Sequence, residues 1–145
     1  HMSLGLRFQE TMQGQLFPRD GTAPVAMTIH AFVRAASVRG LWRGEPMSLH
    51  GSVTITDRQD TTAASGCITV DLLGCRRIVY DLNWRNDEGH LGRFYGWKSL
   101  GVDRVVQRWT QLDGQVIQAG ELLGQAQLRF SLSSLPKFLA SLRPA

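Results

Sequence analysis

Cysteine is nearly absent from this chain, and what there is cannot staple it. Cys67 and Cys75 are too few for a disulfide framework and lack the paired spacing of a metal site. If Cys67 opens a strand, a rise of about 3.3 Å per residue carries Cys75 out of bridging range. Lysine is as scarce: Lys98 and Lys137 are the only two among 16 basic side chains, the rest being arginine. The arginines are scattered, Arg76-Arg77 being the only adjacent pair, and acids lie between them. The formal charge of +4 therefore describes a mixed-charge surface and not a nucleic-acid track, so no nucleic-acid partner is expected. No apolar run approaches the roughly 20 residues of a membrane helix. No charged stretch followed by an apolar one marks a signal peptide near the start. Together these absences predict a cytoplasmic chain without a membrane span.

Signatures of the common catalytic classes are missing too. No G-x-G-x-x-G follows a strand pattern, and no G-x-S-x-G elbow or Ser-His-Asp order is present. His30 and His50 fall on polar strand faces, and His90 follows a turn. No histidine pair has i, i+2 spacing beside a carboxylate, so neither a metal nor another cofactor is expected.

What is present is alternation. With 145 residues, 43% of them hydrophobic and 19% charged, the chain has the size and composition of one globular domain, expected over residues 3–145. His1-Met2 reads as a cloning remnant and an initiator methionine. Period-two patterns broken by turn residues predict eight strands. The first four are expected at Leu6 to Phe17, Ala26 to Arg34, Met47 to Thr56 and Cys67 to Leu73, with Asp57 to Gly66 as a loop. The next four follow at Arg77 to Trp84, His90 to Leu100, Val105 to Leu112 and Gly120 to Leu132. Asn86-Asp87-Glu88-Gly89 predicts a hairpin turn, and Asp113-Gly114 a second tight turn. Ser133 or Ser134 can cap a closing helix that carries Leu135, Phe138, Leu139 and Leu142 at helical spacing. Eight strands joined by short turns remove their edges by closing, so the expected fold is all-β: an eight-stranded antiparallel up-and-down barrel with a short C-terminal helix.

Inside such a barrel, Glu10 stands out because alternation puts a carboxylate on the apolar face of the first strand, beside Met12. Lys98, sharing a face with Phe94 and Gly96 on the sixth strand, is its expected counterpart in a buried ion pair. Tyr80 and Trp84 are expected to face inward from the fifth strand, each with one hydrogen bond to give. The candidate ligand-binding residues are thus Glu10, Met12, Tyr80, Trp84, Phe94 and Lys98. Tyr95 and Trp97 lie on the face opposite Lys98, and an outward aromatic pair there would suit a homo-oligomer or another partner.

Several short motifs resemble a known family. The opening Phe8-x-Glu10-x-Met12-x-Gly14 is similar to the F-x-E-x-M-x-G of the small barrel domain at the C-terminus of some cholesterol-oxidase-like glucose–methanol–choline oxidoreductases. Val79-Tyr80-Asp81-Leu82, Glu88-Gly89 and Gly96-Trp97-Lys98 resemble its central strand, turn and G-x-K. The run Gly120 to Leu132, then Leu135-Pro136-Lys137-Phe138-Leu139 and Leu142-Arg143, is similar to its small-residue strand and closing helix. Arg108 stands where that domain has an acid, so no role tied to the acid carries over. The resemblance implies a lipocalin-like accessory barrel associated with lipophilic substrates, the flavin chemistry residing in a domain absent here. Three readings follow, in order: a non-catalytic binding barrel for a sterol, polyketide or acyl compound; a cyclase or isomerase working inside the barrel; and a structural partner domain with a self-filled interior.

Overall fold

The computed structural model of the chain describes residues 6–35, 40, 43–56, 58–71, 77–99 and 111–130, without the side chains of residues 6, 8, 35, 59, 98, 99 and 130. Eight strands form one closed antiparallel barrel: β1 (Leu6–Pro18), β2 (Val25–Ala35), β3 (Met47–Ile55), β4 (Gln59–Asp71), β5 (Arg77–Arg85), β6 (Leu91–Ser99), β7 (Gln111–Gln118) and β8 (Glu121–Phe130). Each strand pairs with the next, and β8 closes on β1 through Met12↔Phe130 to Pro18↔Gly124. The expected up-and-down barrel is the observed one. Closure leaves no open strand edge.

Alternation decides which residues fill the interior. On β1, Glu10, Met12 and Leu16 are buried while Gln9, Gln13 and Gln15 are exposed. On β5, Ile78, Tyr80, Leu82 and Trp84 are buried, as the period of two predicts. Cross-strand register then stacks these residues in layers. One layer runs Ile68↔Tyr80↔Gly96↔Gly114↔Ala126↔Leu16 around the barrel. Another runs Glu10↔Ala31↔Gly51↔Ala64↔Trp84. Small residues in each layer sit beside large ones, which is how a narrow barrel fits its own side chains.

Two expectations are corrected. Residues 59–66 belong to β4, which begins at Gln59 and not at Cys67. Thr61, Ala63 and Ser65 face out and Ala64 faces in, a contrast in size that hydropathy does not register. Cys67 consequently lies within a long strand instead of opening one, and is half-buried as a free thiol. Asp113-Gly114 is no turn: both lie within β7, where Gly114 faces inward opposite Gly96. The turn falls at Ala119 and Gly120, both at positive φ (52° and 82°), the geometry a two-residue hairpin demands. Residues 100–110, which include most of the expected seventh strand, Cys75, and the expected C-terminal helix lie outside the described residues. The Asn86 turn is as expected: its side-chain oxygen accepts from the Glu88 and His90 amides, and Gly89 takes φ 82°.

Candidate functional site

Glu10 and Tyr80 meet inside the barrel. Their strands, β1 and β5, are four apart in either direction around a ring of eight, so the two side chains approach from opposite walls. The Tyr80 hydroxyl donates to Oε2 of Glu10 at 3.0 Å. Tyr80 is wholly buried and Glu10 nearly so; Glu10 is the buried charged side chain among the described residues. A carboxylate removed from water needs donors close by, and the phenol supplies one. Burial pushes the Tyr80 phenol well above its usual range, and the charge and hydrogen bond of Glu10 push it further the same way. It therefore stays protonated and keeps donating. Their cross-strand register partners are small, Ala31 beside Glu10 and Gly96 beside Tyr80.

The other candidates line the same interior. Met12 and Phe94 are fully buried and Trp84 almost so. The Phe94 ring lies over two glycines, since a Cβ at either Gly96 or Gly114 would run into it. Trp84 covers Gly92 in the same manner. Lys98 occupies its expected place on β6, with Ile78 as register partner, but its side chain lies outside the described ones, and so does the expected contact with Glu10. Sequence reasoning put Tyr80 inside with a hydrogen bond to give but did not join it to Glu10. Strand order supplies the missing step, because β1 and β5 face each other only once the barrel is closed.

The outer surface carries features of its own. Arg93 makes a two-pronged ion pair with Asp81 (Nε to Oδ1 3.0 Å, Nη2 to Oδ2 2.7 Å) and lies 5.2 Å from the centre of the Tyr95 ring. Asp81 raises the Arg93 pKa above its usual value, which holds the guanidinium charged. Trp97 follows Tyr95 on the same outward face, their ring centres 6.1 Å apart, and is 38% exposed. On the far side of the barrel, Arg7, Gln9, Phe32, Arg34 and His50 line a hollow of about 440 Å³. These residues were not candidates. The available signal was Phe32, an aromatic at an outward position of β2 otherwise held by Ala26, Thr28, His30 and Arg34. Among the described residues, no helix is long and apolar enough to cross a membrane. No known protein family, curated protein or solved structure matches the chain.

Proposed function

We infer that the chain is a non-catalytic binding barrel for a lipophilic small molecule of the sterol, polyketide or acyl class. The observation that supports this reading is the Glu10–Tyr80 hydrogen bond spanning an otherwise apolar interior. Sites for lipophilic ligands take this form: an apolar lining fixes affinity, and one or two convergent polar groups fix orientation. Here a ligand hydroxyl would donate to Glu10, or a ligand carbonyl would accept from Tyr80, with Met12, Trp84 and Phe94 as the apolar lining and Lys98 as a further polar contact. The likeness to the oxidoreductase accessory domain makes the protein, on this reading, a cytoplasmic carrier or presenter of such a compound for an oxidising partner. The outward Trp97–Tyr95 pair is the surface through which it would pair with a second copy.

The same two residues favour a second reading, a cyclase or isomerase. A carboxylate and a protonated phenol within hydrogen-bond reach are a base and an acid, and a closed barrel holds a substrate in a reactive shape. Comparing native and denatured mass spectra of gently purified protein tests the first reading. A stoichiometric extra mass, lost or weakened in Glu10→Gln, is the expected result. A clean mass, with no thermal stabilisation by a panel of sterols and acyl compounds, would overturn it in favour of a self-filled structural domain. Turnover of a bound compound, with a pH profile altered by Glu10→Gln, would decide for the enzyme.

A further inference from the structure

The outward face of β1–β3 is unusual in its charge. These three strands contain one acid, Glu10, and it points inside, so no carboxylate of theirs reaches the outer face. What does reach it is Arg7, Arg34, His30 and His50, with glutamines, serines and threonines between. Arg7 and Arg34 are direct cross-strand partners. Like charges placed opposite each other on neighbouring strands are destabilising unless something negative sits between them. Among the described residues the ion pairs are Arg93–Asp81 and His90–Glu88, neither involving these arginines. In the next layer along, Phe32 is 47% exposed and stacks on its cross-strand partner His50, ring centres 6.0 Å apart and planes 23° from parallel. These exposed rings and arginines, with Gln9 and Val33, line an open hollow of about 440 Å³ on the outer face. That volume lies within the range of small-ligand pockets, roughly 300–1,000 Å³.

Flat rings stack on flat ligands, and paired guanidiniums match a phosphate, binding it through two hydrogen bonds each. We propose that this outer hollow binds a free nucleoside phosphate, its base stacked on the Phe32–His50 platform and its phosphate held between Arg7 and Arg34. The site is on the opposite side of the barrel wall from Glu10 and Tyr80 and does not depend on what the interior binds. Charge complementarity carries the choice of ligand: the hollow offers two arginines with no ion pair among the described residues and an aromatic surface, and a nucleotide supplies both counterparts at one-nucleotide size.

The test is a titration of the whole chain with AMP, with adenosine and inorganic phosphate as part-ligands, followed by calorimetry and by amide chemical shifts. AMP is expected to bind at least about tenfold more tightly than either part, and more weakly as salt is raised. Arg34→Gln and Phe32→Ser each weaken it by about tenfold or more while leaving the melting temperature near that of the parent, because both side chains face outward. Arg7→Gln serves as the independent check if either variant loses its fold. Absence of saturable AMP binding, or binding that these variants leave unchanged, would overturn the proposal. So would a short single-stranded oligonucleotide that binds this face when AMP does not, since the site would then belong to a strand.

Discussion

Replacing Tyr80 with Phe tests the buried pair at its centre. The substitution keeps the buried ring and removes only the hydroxyl that donates to Glu10 at 3.0 Å. Hydrogen bonds to charged acceptors contribute about 1.5–3 kcal/mol, and the carboxylate stays buried when this one is removed. Tyr80→Phe should therefore lower stability by about 2 kcal/mol at pH 7, a fall in melting temperature of roughly 4–8 °C for a chain of this size. Urea denaturation reads the change as a lower midpoint at unchanged slope. Alkaline pH supplies a second, independent signature. The folded phenol titrates well above the 10.0 of an ordinary tyrosine. Above that value the unfolded chain releases a proton that the native state still holds, so the stability from this group is complete below pH 10 and declines as pH rises further. The decline is at most about 1.4 kcal/mol per pH unit for one proton. Tyr80→Phe lacks this component, so the gap between the two proteins should narrow above pH 10. Equal stability at pH 7, together with parallel curves to pH 11, would show that the phenol does not support a buried carboxylate.

The other predictions concern the frame and one turn. Gly51→Ala should cost about 3 kcal/mol or more in urea denaturation, because its Cβ would overlap the His30 carbonyl of the neighbouring strand. Gly21→Ala should cost only about 1–2 kcal/mol: its φ of +79° strains an L-residue, but nothing lies within 4 Å of the added atom. Phe94→Ala should cost about 3–5 kcal/mol by uncovering the Gly96–Gly114 pair, and a loss under 1 kcal/mol would mean that the ring is not what fills that space. The Asp20 carboxylate, which accepts from the hydroxyl and amide of Thr22, should titrate below 3.8 by NMR, and Thr22→Ala should move it back upward.

The fold was legible where hydropathy alternates and obscure where it does not. Leu6 to Phe17 and Arg77 to Trp84 alternate between apolar and polar side chains, and both strands form within a residue of expectation. Thr61 to Gly66 alternates only between small residues, so the first half of β4 carried no contrast to read. Asp-Gly is a stronger local turn signal than Ala-Gly, yet the turn forms at Ala119-Gly120. Tertiary context explains the reversal. Gly114 is needed on the barrel's inner face, where Gly96 and the Phe94 ring leave no room for a Cβ. The site was legible residue by residue but not pair by pair. Alternation turned Glu10, Met12, Tyr80, Trp84 and Phe94 inward, and all five are buried. Which of them touch depends on closure between β8 and β1, a relation between the two ends of the chain that no local pattern encodes.

The glycines of the inner face bear on where a ligand would fit. A barrel rich in inward glycine can be read as hollow, or as tightly wound. At Gly14, Gly51, Gly66 and Gly124 an added Cβ would meet a main-chain carbonyl of the adjacent strand, belonging to Gln127, His30, Asp81 and Phe17 respectively. Those four positions let strands approach and bend, as closure requires, and they leave no space for a guest. At Gly92, Gly96 and Gly114 the space is taken by the rings of Trp84 and Phe94. Room inside is therefore governed by large side chains and not by the small ones beneath them. A lipophilic compound hydrogen-bonded to Glu10 or Tyr80 would have to share the interior with Met12, Trp84 and Phe94. Substitutions that tune ligand size should therefore be made at those three positions, and changes at the glycines should affect folding alone.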